Sequence, residues 1–227
     1  MVARRLKWIV AHLPNSMQYE IRRLFFHRQI RARRFSTDEK EYDLLDTFLA
    51  PGDWALDIGA NVGHYTMRMA ELVGATGRVI AFEPVPTTFS LLAANVRLFA
   101  HSNVSLLNVA ASDRTAAVGM QIPRFSEGLA NYYQAHLTDD ATDLAILTLP
   151  VDALRLPAPV KLVKIDVEGH ELPVLHGMRG TLERDHPLLI VETGSDETVH
   201  LLNRFGYSTE RLPGSSNLVC RASAGRG

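Results

Sequence analysis

The sequence has one cysteine, no long apolar run and no dinucleotide-binding fingerprint, and each absence narrows what the protein can be. Cys220 alone cannot form an internal disulfide, so we expect a reducing compartment and a cytoplasmic location. There is no run of eighteen apolar residues, so no membrane-spanning helix is expected. The apolar run from Trp8 to Leu13 is too short for a signal peptide, and no small-residue cleavage site follows it.

Charge is distributed unevenly along the 227 residues, although the net charge is only −1. Residues 1–34 carry nine cationic side chains and one acid, Glu20, which gives a net charge of +8 and leaves −9 for the rest. We therefore expect a basic, amphipathic helical extension over residues 1–35 and a folded domain over residues 36–227. The cations of the extension are Arg4, Arg5, Lys7, Arg22, Arg23, Arg28, Arg31, Arg33 and Arg34.

Two helices are predicted in this extension, one before and one after Pro14. The apolar residues that share one face of the second helix are Met17, Ile21, Leu24 and Phe25. Apolar stripes are usually buried, so we favour packing of this face against the domain or a second subunit, which leaves an oligomer possible. A basic amphipathic helix also suits an anionic membrane surface or a lipid-linked acceptor, which would place the protein at the inner membrane face.

The domain is organised around residues 56–66, where a buried strand runs through a glycine turn into a helix. Four residues set the pattern Asp-x-Gly-x-Asn-x-Gly: Asp57, Gly59, Asn61 and Gly63. Two glycines are too few to enclose the pyrophosphate of a dinucleotide, and Asp57 would repel it. S-adenosylmethionine instead offers Asp57 two cationic groups, and its carboxylate suits the N-terminus of a helix that we expect to begin at Asn61. An ordinary tight turn is the alternative.

A second carboxylate follows at the spacing of one crossover helix. The strand predicted from Arg78 to Glu83 ends in that carboxylate and is followed by Pro84. Strands joined in this way are parallel neighbours, so Glu83 should lie beside the glycine turn. There it can accept two hydrogen bonds from a ribose diol, as in other nucleoside-binding α/β folds. The alternative is a solvated strand end.

Three motifs in this order resemble those of the FkbM-type methyltransferases, a class I family that uses S-adenosylmethionine and acts mostly on oxygen. The motifs are DIGANVG from Asp57 to Gly63, AFEP from Ala81 to Pro84 and KIDVEGHE from Lys164 to Glu171. The resemblance extends from about Glu39 to Val219. It implies an α/β, Rossmann-like, doubly wound sheet of seven strands in the order 3-2-1-4-5-7-6, with the last strand antiparallel.

The resemblance also implies contacts at the ends of the third and fourth strands. Ser112 and Asp113 follow a third strand predicted from Val104 to Ala110 and would contact the adenine, with Asp113 accepting from its amino group. A plain turn is an equal alternative for Asp113. Asp166, at the end of the fourth strand, would face the transferable methyl, and Pro84 would lie against the nucleoside.

The remaining elements are predicted from apolar patterning. We expect a helix from Thr37 to Ala50, another from about Pro86 and a third around 197–205. The further predicted strands are 116–122, 146–151, 160–167, 187–192, 207–211 and 217–221. The irregular stretch from Pro123 to Thr142 is typical of a binding loop, and we expect it to contact the acceptor.

Methyl transfer to an alcohol requires a base close to the transferable methyl. Glu168 and His170 are the candidates, with Asp166 close by. Histidine has the more suitable unperturbed pKa for a base at neutral pH. A solvated residue at a helix start is the alternative for His170.

A divalent cation is a competing interpretation of the same region. Asp166, Glu168 and Glu192 carry oxygen ligands of the kind that Mg²⁺ or Ca²⁺ prefers, so the need for a metal stays open. Lys164 lies within an apolar strand, where a charged residue is unusual. We expect it to pair with Asp57 or Glu192 in a structural role.

The sequence therefore favours an S-adenosylmethionine-dependent methyltransferase that methylates a hydroxyl of a small molecule or sugar. One alternative is an RNA methyltransferase or nucleic-acid-binding protein that uses the basic extension. The rest of the chain is acidic, so no nucleic-acid partner is expected. A dinucleotide-dependent oxidoreductase is a further alternative, which the glycine spacing disfavours.

Overall fold

The computed structural model describes residues 12–126, 128–138, 142 and 144–223, without the side chain of Tyr133. The strands of these residues are β1 (Trp54–Ile58), β2 (Arg78–Phe82), β3 (Val104–Leu107), β4 (Ala110–Ala111), β5 (Ala116–Gln121), β6 (His136–Thr138), β7 (Ala145–Leu149), β8 (Val160–Ile165), β9 (Leu188–Glu192), β10 (Tyr207–Arg211) and β11 (Asn217–Ala222). The helices are α1 (Asn15–Arg31), α2 (Lys40–Asp43), α3 (Leu45–Phe48), α4 (His64–Val73), α5 (Pro86–Val96), α6 (Glu171–Gly177), α7 (Arg179–Asp185) and α8 (Asp196–Arg204).

A large sheet of seven strands, in the order β3-β2-β1-β8-β9-β11-β10, forms the centre of the fold. Only β11 runs antiparallel to its neighbours in this sheet. Counted within the sheet, this order is the predicted 3-2-1-4-5-7-6. The chain numbers differ because β4 to β7 form a small sheet of order β4-β7-β5-β6, which the sequence analysis did not predict.

The single strand predicted from Val104 to Ala110 is wrong, because the chain leaves the large sheet within it. Pairing with β2 ends at Leu107. The side-chain amide of Asn108 donates to the backbone carbonyl oxygens of Glu83 and Pro84, at 2.8 and 3.0 Å. These two bonds hold the chain end against the loop after β2, and β4 then pairs with β7 of the small sheet.

Helices pack on both faces of the large sheet, so its central strands are apolar on both sides. Alternate residues of β1 supply the two layers of the core. Leu56 and Ile58 pack with the residues of α6, α7 and α8, whereas Ala55 packs with α4. Because β1 and β2 are parallel and buried, their carboxyl ends meet at one edge of the sheet.

The helix predicted from Thr37 to Ala50 is also wrong in its bounds. It begins at Lys40 because Glu39 is extended, with φ −69° and ψ 134°, and it is interrupted at Leu44. The carboxylate of Glu39 accepts a hydrogen bond from Thr37 Oγ1 at 3.1 Å.

In the basic extension, α1 packs against α5 through the face that carries Phe26, not through the predicted apolar face. Phe26 is buried with Phe35, Val62 and Leu91. The four apolar residues predicted to share a face, Met17, Ile21, Leu24 and Phe25, are exposed instead. The prediction that they pack against the domain is therefore wrong. The helix predicted before Pro14 falls almost entirely on residues 2–11, which lie outside the described residues. None of the helices in the described ranges is long and apolar enough to cross a membrane.

Candidate active site

The turns after β1 and β8 touch at the carboxyl edge of the large sheet. Gly59 has φ +85°, and a Cβ there would lie 1.8 Å from the backbone oxygen of Asp166. The Asp166 amide donates to the carbonyl of Ile58 at 2.9 Å. The amide of Gly59 donates to the carbonyl of Phe82 at 3.0 Å, so the end of β2 is held in the same place. Glycine is therefore required at position 59 by both conformation and space.

Asp57 is 1% exposed and lies near the carboxyl end of β1, facing the first turn of α4. Its Oδ2 accepts a hydrogen bond from Thr66 Oγ1 at 2.5 Å. Burial raises the pKa of Asp57 to about 6, although Thr66 and Lys164 act in the opposite direction. The helix begins at His64, not at Asn61 as predicted, and its N-terminal turn already contacts the carboxylate of Asp57.

Glu83 projects from the end of β2 toward the glycine turn, as predicted. Its Oε2 accepts from the amide of Asn61 and its Oε1 from the amide of Val85, both at 2.9 Å. Burial raises the pKa of Glu83 to about 7, and these two hydrogen bonds lower it only in part. Each carboxylate oxygen keeps a lone pair that can accept a further hydrogen bond.

Two adjoining cavities open around the glycine turn. The first, of about 290 Å³, has Glu83 and Pro84 in its wall, together with Ala110 and Ala111 of the small sheet. The second, of about 320 Å³, has Asp57 in its wall. Four residues line both cavities: Glu39, Gly59, Asn61 and Asp166. Two buried carboxylates thus face two connected cavities, an arrangement that suits an elongated ligand with cationic and diol groups.

Asn61 is the residue in this turn whose geometry points most directly to a ligand. It adopts a left-handed conformation, with φ +50°. Its buried Oδ1 atom has no hydrogen-bond partner among the described residues. A buried acceptor of this kind requires a donor, and an ammonium group supplies one.

Sequence reasoning missed Glu39, which lines both cavities. Its Oε2 accepts hydrogen bonds from Tyr65 Oη and Asn217 Nδ2, each at 2.9 Å. The predicted helix from Thr37 to Ala50 has Glu39 in its first turn, whereas in the structure Glu39 precedes the helix. No local pattern links it to Asn217, which lies on β11, so its place at the site follows only from the tertiary fold.

A group of carboxylates surrounds the end of β8. Asp166, Glu168 and Glu192 line the first cavity and also an open groove of about 520 Å³. Burial and the neighbouring Asp166 raise the pKa of both Glu168 and Glu192. This group therefore lies between the two cavities and the groove.

The predicted partner of Lys164 is wrong. Its Nζ lies 3.1 Å from Asp166 Oδ2, and the ion pair joins these two residues rather than Asp57 or Glu192. Side chains two residues apart share one side of a strand, which brings Lys164 and Asp166 together. The structural role predicted for Lys164 stays a prediction.

His170 lies at the wall of the first cavity, where its Nε2 is 2.9 Å from Ser112 Oγ. Burial lowers the pKa of His170, which favours a neutral imidazole. Asp113 is exposed, and its Oδ1 interacts with Ser112 Oγ at 3.2 Å and with Arg114 at 3.6 Å. In the described part of the chain, neither Ser112 nor Asp113 lines the first cavity.

Most of the predicted site residues therefore meet at one edge of the sheet. Gly63 is an exception, because it forms the N-cap of α4 at φ +99° and faces Leu92 rather than a cavity. Within residues 12–126, 128–138, 142 and 144–223, no group of three or more histidine, cysteine or acidic side chains is arranged to hold a metal ion.

The order of the large sheet, with its one antiparallel strand, is that of S-adenosylmethionine-dependent methyltransferase domains, and Asp57 and Glu83 lie at the edge where sheets of this kind bind ligands. The model of the methyltransferase FkbM domain matches residues 57–208. The chain belongs to this FkbM methyltransferase family, as the three sequence motifs indicated.

A known methyltransferase is similar to this chain in sequence. Hexuronic acid methyltransferase AglP of Haloferax volcanii is 30% identical over 162 residues, which cover 68% of this chain and 63% of that protein. This chain thus spans less than two thirds of that relative's length.

Two solved structures share the fold. Methyltransferase FkbM from Methylobacillus flagellatus matches with a TM-score of 0.53 and 18% identity, over 74% of this chain and 42% of that one. A putative rRNA methylase from Clostridium thermocellum matches with a TM-score of 0.51 and 16% identity, over 82% and 96%.

Proposed function

We propose that the protein transfers a methyl group from S-adenosylmethionine to a hydroxyl oxygen of a sugar. The observation that carries this proposal is the group of Asp166, Glu168 and Glu192, which lies where the cofactor cavities meet an open groove. The similarity to a hexuronic acid methyltransferase supports a sugar as the acceptor.

The two cavities fit the cofactor in charge and in hydrogen bonding. Glu83 would bind the ribose diol in the first cavity, with Pro84 beside the nucleoside. Asp57 and Asn61 would bind the ammonium group in the second cavity. Burial raises the pKa of Asp57 and of Glu83, and both the ammonium group and the diol favour the ionised carboxylates, so ligand binding should be accompanied by release of protons.

The adenine edge would lie toward β4. Ala110 and Ala111 line that side of the first cavity, together with His170. Ser112 hydrogen-bonds His170 and is 4% exposed, so it would hold the imidazole in position beside the adenine. Asp113 would act on the adenine only through Ser112, because Asp113 itself points to solvent and Arg114.

Glu168 is the residue best placed to accept the proton of the acceptor hydroxyl. Glu168 lines both the first cavity and the open groove, whereas His170 lines only the first cavity and contacts Ser112. The pKa of Glu168 is raised by burial and by Asp166, which makes it a better base at neutral pH. Asp166, paired with Lys164, would stand next to the transferable methyl.

In the proposed reaction, one proton is transferred, one bond forms and one bond breaks. The hydroxyl O–H proton passes to Glu168, the new C–O bond forms, and the bond between the methyl carbon and sulfur breaks to leave neutral S-adenosylhomocysteine. A carboxylate acceptor needs no base, and Asp166, Glu168 and Glu192 would repel it. These charges favour a hydroxyl over the carboxylate of a uronic acid.

The test is an acceptor screen with neutral and uronic sugars, in which S-adenosylhomocysteine is quantified and the methylated oxygen is located by NMR. We expect methyl ethers. Glu168→Gln should lower kcat by about 10²–10⁴-fold and leave cofactor affinity nearly unchanged. The matched control is Glu197→Gln, which changes an exposed carboxylate in the first turn of α8. Methyl esters, or full activity of Glu168→Gln, would contradict the proposal.

A further inference from the structure

The outer face of α1 carries an unusual set of exposed apolar side chains. In the described part of the chain, six large apolar side chains are exposed, and four of them belong to this one helix. We call these four the stripe: Met17 is 50% exposed, Ile21 42%, Leu24 59% and Phe25 56%. Their spacing of 4, 3 and 1 residues puts them on one side of the helix. Monomeric proteins rarely expose such a contiguous patch without a partner.

The rest of α1 fixes the direction in which the stripe points. Phe26 is 7% exposed and packs with Phe35, Tyr19 and Ile30. The hydroxyl of Tyr19 also donates to the backbone oxygen of Ser90 on α5, at 3.3 Å. At about 100° per residue, Phe26 lies nearly opposite Met17 on the helix. The inner face is therefore anchored to the domain and the stripe faces outward.

Cationic side chains continue the outer face where the stripe ends. Arg28 and Arg31 lie four and seven residues after Leu24, so they share its side of the helix. Arg33 and Arg34 follow, and all four are exposed. The outer surface of α1 is thus apolar in its first turns and cationic in its last.

We propose that α1 docks on an anionic lipid bilayer, with the stripe in the interface and the arginines on the lipid phosphates. Apolar residues beside arginines on an exposed helix are typical of interfacial helices. A second copy of the chain fits this surface less well. Glu20 is the single acid in α1 and already pairs with Arg23 at 2.7 Å, so in a two-fold contact through α1 the facing helix would offer Arg28 and Arg31 no acidic partner.

The opposite side of α1 lies next to the first cavity. The guanidinium of Arg22 lies 4.8 Å from the centroid of the Tyr132 ring, and Tyr132 lines the first cavity. Docking would therefore hold that cavity about one helix diameter, roughly 10–12 Å, from the lipid surface. Lipid binding by α1 does not depend on the proposed sugar methylation, so the two proposals fail separately.

The first test is sedimentation of the full chain with vesicles of phosphatidylcholine, with and without phosphatidylglycerol. We expect binding that requires the anionic lipid and weakens with salt. Leu24→Gln with Phe25→Gln should weaken it by at least about tenfold. Arg28→Gln with Arg31→Gln should weaken it by about 25-fold, at about fivefold per arginine. The matched control is Leu147→Gln, since Leu147 is also 59% exposed but lies on β7.

Binding that is absent, or that Leu147→Gln weakens as much as the stripe variants do, would overturn the proposal. A second measurement identifies what covers the stripe. Cys220 is fully buried, so a Leu24→Cys thiol can be labelled selectively with an environment-sensitive fluorophore. We expect a blue shift only when anionic vesicles are added. Emission that is already blue-shifted without lipid, relative to the free fluorophore, would overturn the proposal. A shift that depends on protein concentration would indicate that a second copy covers the stripe, and one that does not would indicate that residues 1–11 cover it.

Discussion

The affinity for S-adenosylmethionine should depend on pH through Glu83. The perturbation is a change from pH 8 to pH 6, applied to the wild type and to Glu83→Gln. The pKa of Glu83 is raised to about 7 in the free protein because the carboxyl is buried between the turns after β1 and β2. A ribose diol needs the ionised carboxylate as a double acceptor, so affinity should fall as Glu83 takes up a proton.

The magnitude follows from the ionised fraction. With a pKa near 7, that fraction falls from about nine tenths at pH 8 to about one tenth at pH 6, which is about a tenfold loss of affinity. The pKa of Asp57 is about 6, so its protonation adds about a further twofold. We expect the Kd of the wild type to rise by about 20-fold in total, before the titration of the ligand itself is considered.

Isothermal titration calorimetry with S-adenosylhomocysteine, repeated across this range, measures the effect. The ligand amine titrates identically with both proteins, so the ratio of their Kd values isolates Glu83. Glu83→Gln should bind more weakly than the wild type at pH 8, and the ratio should approach one at pH 6. A ratio that stays constant with pH would refute the role of an ionised Glu83.

Three further predictions concern stability, each measured by urea unfolding. Glu83→Gln should remove a loss of about 3 kcal/mol that the wild type shows between about pH 4.5 and pH 8, because with a folded-state pKa near 7 the stability from Glu83 is full below about pH 4.5 and is lost as pH rises through 7; its amide can accept only one of the two backbone N–H bonds, a cost that does not change with pH, and identical pH profiles of variant and wild type would contradict the prediction. Gly59→Ala should cost at least about 2 kcal/mol, whereas Gly194→Ala, which meets nothing within 4 Å, should change stability by less than about 0.5 kcal/mol. Asp152→Ala should cost about 1–2 kcal/mol, because its carboxylate accepts from the amides of Gly180 and Thr181 at 2.7 and 2.9 Å and so caps α7; Asp152→Asn should recover part of the loss.

The fold was predictable because its signals are local and repeated. Near-continuous apolar runs such as those of β1 and β8 are typical of buried parallel strands. Carboxyl ends of parallel strands meet at one edge of a sheet, so the positions of Asp57, Glu83 and Asp166 in the chain predicted that they lie close together. The structure does bring them together, around Gly59.

The errors arose where a tertiary contact overrides a local pattern. The stretch from Val104 to Ala110 is mostly apolar and was predicted as one strand, but Asn108 ends its pairing with β2 by donating to two carbonyls of the loop after β2. α1 has apolar residues on two faces, and spacing alone does not reveal that Phe26 is the residue that packs on the domain. Glu39 reaches the site through Asn217, a contact between residues far apart in sequence.

The order of the large sheet followed from the family resemblance. Two strands of the small sheet were also predicted, at 116–122 and 146–151, but β4, β6 and the sheet that they complete were not. The two missed strands are short, with two residues in β4 and three in β6. Elements of this length carry too little periodicity to be recognised. The small sheet nevertheless supplies Ala110, Ala111 and Met120 to the wall of the first cavity. The contribution of these three residues to the candidate site was therefore not predicted from the sequence.

The central claim is that carboxylates at the tips of β1 and β2 hold a cationic nucleoside. A crystal structure of the complex with S-adenosylhomocysteine measures this directly, through the distances from the Glu83 carboxylate to the two ribose hydroxyl oxygens. We predict hydrogen-bond distances of about 2.5–3.0 Å for both, with the ligand amine beside Asp57. A ligand bound elsewhere, or a ribose beyond hydrogen-bond reach of Glu83, would contradict the claim.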